Sequence, residues 1–353
     1  MSKSESGGRR NRSVLVVDDS VFMRRMISDM IARFPGYEVV GTAADGEEAL
    51  RMMDACDPDV VTLDIEMPRL DGFGVLDRVM STRRRPIVVL SAYTGAGTEA
   101  ALRALELGAV EFVAKPSGPI SFDVARVEGR LFEALEAAVA ADLDALLQER
   151  RGTATRPPTA GEDEDTPAVV AIAASTGGPR ALAYIMGSLP AQLGAAVLIV
   201  QHMPPGFTTT LAARLDQVCA MPVKEASGGE AVVANRVWLA PGDFHMRVRR
   251  IDGEVRIALD QRELMCGTRP AADALFPTVA AIFGKQSVGV VLTGMGRDGA
   301  DGLAAIRAAS GRTMAQDESS SVVYGMPAKA VEQGAVEQVV HLDGIPDAIV
   351  EML

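Results

Sequence analysis

The chain has 353 residues, which is long for one hydrophobic core and comfortable for two domains. Apolar residues make up 48% and aromatic residues 4%, a composition that favours buried parallel strands covered by helices. The formal charge of −12 disfavours nucleic acid as a partner, because phosphate binding needs a basic surface.

Three widely spaced cysteines, Cys56, Cys219 and Cys266, disfavour a disulfide framework and a zinc site. They are typical of small apolar residues in a reducing compartment. The first residues are polar, and no apolar run is long enough to span a bilayer. We therefore expect a cytoplasmic protein without direct membrane insertion.

Five β-α repeats predict a doubly wound domain in the N-terminal third. Apolar runs predict strands at 13–17, 38–43, 60–63, 87–90 and 110–113, with helices between them and a long helix over 122–148. This alternation predicts a parallel sheet with helices on both faces. Five repeats in about 130 residues fit the flavodoxin-like strand order better than a longer Rossmann pair.

The pattern changes at residues 149–167, which contain three prolines and an acidic run and are interpreted as a linker. A second α/β pattern follows, with strands predicted at 168–174, 195–201, 287–293 and 312–316. Between 235 and 260, apolar residues that include Val237 and Leu239 alternate up to and beyond Asp252-Gly253, which predicts a β-hairpin excursion. The predicted fold is thus two doubly wound parallel-sheet α/β domains, 12–130 and a Rossmann-like 167–353, joined by a helix and linker over 131–166.

Polar side chains stand where the strands of the first domain end. Asp18 and Asp19 follow the first strand, and Asp64 follows the third. Because neighbouring parallel strands are about 4.8 Å apart, these carboxylates are expected to converge and to raise one another's pKa. Mg²⁺ would relieve that repulsion and also bind phosphate oxygens. Ser91 and Lys115, at the ends of later strands, are suited to hydrogen-bonding a phosphoryl group and offsetting its charge.

An alternative is that such acids only cap the following helices, and Asp19 is the strongest candidate for that role. The set as a whole, however, resembles a two-component receiver domain. The resemblance covers residues 12 to about 125 through the stretches Val-Asp-Asp-Ser, Leu-Asp-Ile-Glu-Met-Pro-x-Leu-Asp-Gly, Leu-Ser-Ala and Ala-Lys-Pro. It implies that Asp64 accepts a phosphoryl group from a histidine kinase and that Asp18, Asp19 and Asp64 hold Mg²⁺. It also implies that Ser91, Phe112 and Lys115 form the switch.

A second set of strand ends carries a serine, a histidine and an aspartate. Ser175 follows the run 168–174 and begins Ser-Thr-Gly-Gly-Pro, where a helix N-terminus is expected. His202 follows the run 195–201, and a neutral imidazole one strand away is suited to take the hydroxyl proton. Asp298 follows the strand predicted at 287–293 and is suited to fix the imidazole tautomer. Backbone N–H groups around Met295 are candidates for an oxyanion hole.

Three alternatives compete with this interpretation. Ser175 could serve only as the N-cap of the next helix. Asp301 competes with Asp298 as the acid, and spacing barely separates them. The loop 294–299 also matches the Gly-x-Gly-x-x-Gly dinucleotide pattern, with Asp317 near the expected acidic position. That reading is disfavoured, because it would point the Asp298 carboxylate at a pyrophosphate.

The second half resembles the chemotaxis protein-glutamate methylesterase family (CheB). Its motifs are Ala-Ile-Ala-Ala-Ser-Thr-Gly-Gly, Val-Gln-His-Met-Pro-Pro-Gly-Phe, Leu-Ala-Pro-Gly-Asp-Phe-His-Met and Leu-Thr-Gly-Met-Gly-x-Asp-Gly, from about residue 168 to the C-terminus. The resemblance implies a catalytic triad of Ser175, His202 and Asp298. It also implies that Thr176, Gly177 and Met295 form the site for the oxyanion and the substrate. His245 matches the pattern too, and no catalytic role is expected for it.

The expected function is therefore that of a phosphorylation-activated response regulator. The resemblance implies hydrolysis of glutamate methyl esters on methyl-accepting chemoreceptors and deamidation of receptor glutamines. It implies a CheA-type histidine kinase as phosphodonor, Mg²⁺ in the receiver domain and no cofactor for ester hydrolysis. The alternatives are a receiver-controlled binding module without hydrolase activity, or a methylesterase of another sensory pathway.

Overall fold

The computed structural model describes residues 10–92, 95–115, 122–147 and 168–353. The chain divides into two compact units, the first ending at Leu143 and the second beginning at Asp144. The predicted linker at 149–167 and the expected end of the long helix at position 148 lie outside the described residues. Within those residues, every helix is too short or too polar to cross a membrane.

The first unit alternates strands and helices from its first strand onward. Its strands are β1 (Arg12–Val17), β2 (Tyr37–Ala43), β3 (Val60–Asp64), β4 (Ile87–Ser91) and β5 (Glu111–Ala114). Its helices are α1 (Val21–Ile31), α2 (Gly46–Cys56), α3 (Gly72–Ser81), α4 (Gly95–Glu106) and α5 (Phe122–Ala140), and α6 (Leu143–Leu147) follows at the boundary between the units.

The strands of the first unit form a parallel sheet in the order β2-β1-β3-β4-β5. This order confirms the predicted flavodoxin-like fold. Every residue of β3 and β4 is buried, which explains why these strands read as apolar runs without alternation. Their last residues, Asp64 and Ser91, are polar and mark the edge where the strands end.

The long helix predicted over 122–148 is wrong in extent, because it is broken after Ala140. The Ala141 N–H donates to the Ala138 carbonyl at 3.4 Å, a bond that reaches back three residues, as in a tightened last turn. Asp142 stands at the break, and aspartate disfavours helix interiors because it bonds to nearby backbone groups. Position 130, the expected end of the first domain, lies inside α5.

Among its described residues, the second unit contains nine strands and, apart from α6 and two 3₁₀ turns, six α-helices. The strands are β6 (Ala168–Ala174), β7 (Ala195–Gln201), β8 (Val223–Glu225), β9 (Arg236–Leu239), β10 (His245–Ile251), β11 (Glu254–Asp260), β12 (Ser287–Val291), β13 (Arg312–Gln316) and β14 (Gln338–Val340). The helices are α7 (Gly178–Ser188), α8 (Phe207–Val218), α9 (Ala272–Phe283), α10 (Ala300–Ala308), α11 (Met326–Glu332) and α12 (Ile345–Met352).

Seven of these strands form a parallel sheet in the order β14-β13-β12-β6-β7-β9-β8. The chain starts in the middle at β6, builds outward through β7, and later returns to the other side of β6 at β12. The strand order therefore reverses between β6 and β12. In doubly wound sheets, ligands bind outside the carboxyl ends of the strands at such a switch point. The predicted second doubly wound domain is confirmed.

The hairpin prediction is confirmed for β10 and β11 and wrong for Val237 and Leu239. The turn residues Asp252 and Gly253 both have positive φ, 50° and 87°, as a type I′ turn requires. Val237 instead pairs with Val197 of β7 in the parallel sheet. Four residues of β9 are too few to separate an alternating strand from a buried one.

Two edge strands of the second sheet, β8 and β14, are absent from the sequence-based expectation. Each has three residues, and β14 is exposed or half-exposed along its length. An edge strand buries little surface, so its sequence carries no apolar run that would predict it.

Candidate active site

Three polar residues that follow different strands come together at the switch point. Ser175 follows β6, His202 follows β7, and Asp298 lies in the loop after β12. Main-chain bonds continue past the strand ends: the Ser175 N–H donates to the Thr293 carbonyl at 3.0 Å, and the His202 N–H donates to the Ala174 carbonyl at 3.1 Å. The backbone that carries the serine and the histidine is therefore fixed by the sheet itself.

The imidazole of His202 is hydrogen-bonded to the carboxylate of Asp298. Nε2 lies 2.7 Å from Oδ2, and both side chains are largely buried. Asp298 also accepts the N–H groups of Ala272 at 2.6 Å and Asp273 at 3.0 Å. Burial opposes the charge of Asp298, but the histidine and these N–H groups lower its pKa overall. An ionised carboxylate only accepts, so it fixes the proton of the neutral imidazole on Nε2.

Ser175 is half-buried and follows β6, next to the strand β7 that His202 follows. Its Oγ has no hydrogen-bond partner among the residues that the structure describes. The N-cap of α7 is Gly177, without a side-chain cap bond, so the alternative that Ser175 caps this helix is wrong. Because Asp298 engages Nε2 of His202, Nδ1 is the ring nitrogen left to accept the serine proton.

Thr176 and Gly177 shape the turn that follows Ser175. Thr176 is buried, and its carbonyl accepts the Thr293 hydroxyl at 2.9 Å. Gly177 has a φ of 78°, and a Cβ at this position would meet Val322 at 2.6 Å. Only glycine fits this turn without strain.

The loop around Met295 approaches the serine from β12. A Cβ on Gly294 would come within 2.6 Å of the Cβ of Ser175, so the two backbones are close. Met295 is 38% exposed. Within the described part of the chain, its N–H has no acceptor. An unpaired backbone donor next to a nucleophile is suited to receive an oxyanion.

Gln201, the last residue of β7, ties the serine and histidine backbones together. Its Nε2 donates to the Ser175 carbonyl at 2.9 Å and to the His202 carbonyl at 3.3 Å. It is almost fully buried. The sequence prediction missed this role. The signal for it is a polar amide at the end of an otherwise apolar strand.

A second polar cluster occupies the carboxyl edge of the first sheet. Asp18, Asp19 and Asp64 each bring one oxygen to a site where these atoms lie within 4.8 Å of one another. Asp18 and Asp64 are buried and Asp19 is exposed. The alternative that Asp19 caps α1 is wrong, because Ser20 is the N-cap and accepts the Met23 N–H.

Lys115 pairs with both buried acids. Its Nζ lies 2.8 Å from Asp18 Oδ2 and 2.7 Å from Asp64 Oδ2. Burial, together with the charge of Asp18, raises the pKa of Asp64 despite the neighbouring Lys115 ammonium. Burial lowers the pKa of Lys115, but the bonds to the two carboxylates outweigh it and raise the pKa overall. One ammonium therefore faces more negative charge than it neutralises.

The donor set fits Mg²⁺, which binds hard oxygen ligands and keeps several waters. Asp18 Oδ2 is buried and makes an ion pair with Lys115 but, among the described residues, no hydrogen bond of good geometry, so it has capacity for a cation. Ser91 is buried nearby on β4, and its Oγ donates to the Gly97 carbonyl at 2.7 Å. Phe112 is buried on β5.

Comparison with known proteins identifies both halves of the chain. Residues 170–349 match the family model "CheB methylesterase", and residues 14–123 match "Response regulator receiver domain". The chain belongs to the CheB methylesterase family. Nearly full-length relatives are named "Protein-glutamate methylesterase/protein-glutamine glutaminase".

One such relative, from Pyrococcus abyssi, is 45% identical over 97% of this chain and 94% of that protein. Another, from Symbiobacterium thermophilum, is 48% identical over 95% of each chain. Among solved structures, the catalytic domain of Thermotoga maritima CheB methylesterase is 39% identical with a TM-score of 0.52. It covers 53% of this chain and the whole of that structure. The expected family and fold class are confirmed.

In this family member, Asp301 is not beside the histidine. Its side chain is 56% exposed and bonds to Arg297 at 3.1 Å and Gln333 at 2.8 Å. Asp298 is 1% exposed and contacts the imidazole. The two acids that spacing barely separates are thus distinguished by burial.

The dinucleotide alternative finds no support in the geometry of the loop 294–299. The carboxylate of Asp298 is buried and contacts His202 and the start of α9. A pyrophosphate at this loop would need free N–H groups there instead of a carboxylate. Asp317 accepts the Ser319 hydroxyl at 2.6 Å. His245, the remaining histidine of the family motifs, is fully buried, with Nε2 3.0 Å from the Glu263 carbonyl.

Proposed function

We propose that this protein is a phosphorylation-controlled protein-glutamate methylesterase and protein-glutamine glutaminase with a Ser175-His202-Asp298 triad. The observation that carries the proposal is the 2.7 Å contact between His202 Nε2 and Asp298 Oδ2, next to Ser175 at the switch point of the sheet. Family membership supports the choice of reaction. The active site needs no cofactor, because base, nucleophile and oxyanion donors are all supplied by the chain.

In the first half of the reaction, Ser175 Oγ attacks the γ-carbonyl carbon of a glutamate methyl ester. Nδ1 of His202 takes the hydroxyl proton, and Asp298 stabilises the resulting imidazolium. The carbonyl oxygen becomes an oxyanion. It accepts a hydrogen bond from the free N–H of Met295 and lies against the backbone of Thr176 and Gly177. The intermediate then collapses. The ester C–O bond breaks, and the imidazolium donates its proton to the methoxide oxygen, which leaves as methanol.

In the second half, water attacks the glutamyl-serine ester. His202 again takes a proton, now from the water, and returns it to Ser175 Oγ as the acyl C–O bond breaks. The products are a glutamate carboxyl group and the free enzyme. With a glutamine substrate the same steps release ammonia in place of methanol, so both activities use one set of residues.

The receiver half controls this reaction. Asp64 is the phosphoacceptor, and Asp18, Asp19 and Asp64 would hold Mg²⁺, which would neutralise charge during phosphoryl transfer. A phosphoryl group on Asp64 attracts Lys115 and the Ser91 hydroxyl. Ser91 now donates to the Gly97 carbonyl in α4, so recruitment by phosphate releases that helix and the neighbouring Phe112.

The partners follow from this chemistry. The substrate is the methylated or amidated side chain of a chemoreceptor, and the phosphodonor is a CheA-type histidine kinase. The net charge of −12 disfavours nucleic acid as a partner. Both partners present these groups in the cytoplasm, where the protein is proposed to act.

The test is Ser175→Ala in the full-length protein, assayed by methanol release from methylated receptor membranes. Hydrolysis is expected to fall by at least about 10⁴-fold, because the nucleophile is lost. The free energy of unfolding should change by less than about 1 kcal/mol, since Oγ has no partner among the described residues.

Ser227→Ala is the matched control, because it removes an exposed serine hydroxyl from the same unit. It should leave hydrolysis unchanged. Activity of Ser175→Ala within about tenfold of the unmodified protein would overturn the assignment of the nucleophile, because a triad without it loses far more.

A further inference from the structure

Neither α9 nor α10 is capped by its own N-cap residue. Ala271 precedes α9 and Gly299 precedes α10, and neither makes a side-chain cap bond. The first N–H groups of a helix have no partner within the helix, and burying them without one is costly. Both helices begin in buried surroundings, so their first N–H groups need acceptors from elsewhere.

Each helix is capped by an aspartate that lies in the other helix or just before it. Asp298, one residue before the N-cap of α10, accepts the N–H groups of Ala272 and Asp273 at 2.6 and 3.0 Å at the start of α9. Asp273, in the first turn of α9, accepts the N–H of Gly302 at 2.7 Å in the first turn of α10. The two carboxylates thus form a reciprocal pair of caps. One member of this pair is the proposed triad acid.

We propose that Asp273 is a positioning residue of the active site, which holds Asp298 against His202 through this reciprocal cap and supplies a second negative charge behind it. This proposal rests on the proposed function, because it presumes that Asp298 is the triad acid. Asp273 acts through Asp298 and has no contact with the substrate.

Close packing makes the reciprocal cap rigid. A Cβ on Gly302 would lie 2.6 Å from Phe276 Cβ and 3.1 Å from Asp273 Oδ1, so the two helices meet with no room for a side chain. The loop that carries Asp298 leads directly into α10. A displacement of α10 relative to α9 would therefore move Asp298 away from His202.

The surroundings of Asp273 disfavour its ionised form. Burial first, and then the charge of Asp298, raise its pKa to about 6. Other charged or titratable groups near it are Asp301 on α10, Cys266 and Arg297, and Arg247 of β10 donates to the Ala274 carbonyl in the same helical turn. The Cys266 sulfur and one oxygen from each buried aspartate lie within 4.8 Å of one another. Both carboxylates are engaged by backbone N–H groups, so capping accounts for this cluster.

This arrangement has a consequence for catalysis. During turnover, His202 becomes an imidazolium while Ser175 is attacking or leaving. An anion behind Asp298 favours that transient cation. Removing the Asp273 charge should therefore weaken the base and shift the acid limb of the pH profile toward lower pH. Removing an acid with a purely structural role would not move that limb.

The experiment compares Asp273→Asn, Asp273→Ala and the control Asp301→Asn in the full-length protein, with methanol release measured across pH. Asp301→Asn removes an equal charge from an exposed neighbour. Asp273→Asn keeps an oxygen for the Gly302 N–H. It should lower kcat about tenfold with KM little changed, and move the acid limb down by about one pH unit. Asp273→Ala should lower kcat about a hundredfold, since the cap is lost as well. Asp301→Asn should change neither quantity.

Equal behaviour of Asp273→Asn and Asp301→Asn would overturn the proposal, as would a loss of kcat with an unmoved acid limb. If Asp273→Ala does not fold, Asp273→Asn alone decides. Ser175→Ala is run in parallel. An active Ser175→Ala enzyme would mean that the proposed triad has failed, whereas an inactive one with unaffected Asp273 variants would mean that only the role of Asp273 has failed.

Discussion

The two units place carboxylates at the same position of the same kind of sheet, yet they balance the charge in different ways. In the first unit, Asp18 and Asp64 face the ammonium of one long side chain, Lys115. In the second, Asp298 faces fixed backbone N–H groups at the start of α9 and the imidazole of His202. A lysine side chain can move when a ligand arrives, whereas helix N–H groups cannot.

The pKa directions follow this difference. The pKa of Asp64 is raised by burial and by the charge of Asp18, despite its lysine partner. The pKa of Asp298 is lowered, because the histidine and the N–H groups outweigh burial. The site that is proposed to receive a cation and a phosphoryl group carries negative charge that its lysine does not neutralise. The site that is proposed to stabilise a transient imidazolium is organised in advance.

The largest expected effect is at the preorganised site. Asp298→Asn should lower kcat on the order of 10⁴-fold, because an amide no longer fixes the imidazole tautomer or stabilises its cation. Methanol release from methylated receptor membranes measures it. Asp301→Asn, the exposed neighbour, should leave the rate nearly unchanged. If Asp301→Asn instead caused the loss, the geometry around His202 would have been assigned to the wrong acid.

A smaller effect is expected at the adjustable site. Asp64→Asn should leave basal hydrolysis intact and abolish its stimulation by acetyl phosphate with Mg²⁺, because the proposed phosphoacceptor is gone. A tenfold stimulation corresponds to only about 1.4 kcal/mol, which one rearranged loop can supply. Asp71→Asn serves as the control, since Asp71 is an N-cap on α3 outside the acidic cluster. Stimulation that survived in Asp64→Asn would remove Asp64 from this role.

The smallest expected effects are on the thermal unfolding of the two units, measured by calorimetry. They test whether the two acidic sites differ in how ionisation affects stability. An acid with a raised pKa costs stability once it ionises, so Asp64→Asn should raise the transition temperature of the first unit by a few degrees at neutral pH. An acid with a lowered pKa contributes stability above its unfolded value, so Asp298→Asn should lower the transition temperature of the second unit.

Both differences should shrink as the pH falls, because the two acids then become protonated in the folded and the unfolded state alike. Mg²⁺ should raise the transition temperature of the first unit in the unmodified protein, since it is proposed to bind the folded acidic cluster. Two shifts of the same sign at neutral pH would show that the proposed difference between the sites is wrong.

Much of the fold followed from the sequence alone. Buried parallel strands are covered on both faces, so they appear as uninterrupted apolar runs, and the runs at 168–174, 195–201 and 312–316 match the observed strands residue for residue. The sequence did not predict the edge strands β8 and β14, or the membership of Val237 in the main sheet. Short strands leave too little pattern, and the environment decides their partners.

The sequence by itself determined the two-domain architecture, the family and the strand ends that carry Ser175, His202 and Asp64, because chain order and apolar periodicity fix where each parallel strand stops. Only the tertiary structure separated Asp298 from Asp301 and brought Asp273 to the start of α10. The burial of Asp298 and the position of Asp273 both depend on the packing of helices far apart in sequence. Whether a carboxylate is buried against N–H groups or exposed to water is set by that packing and not by its neighbours along the chain.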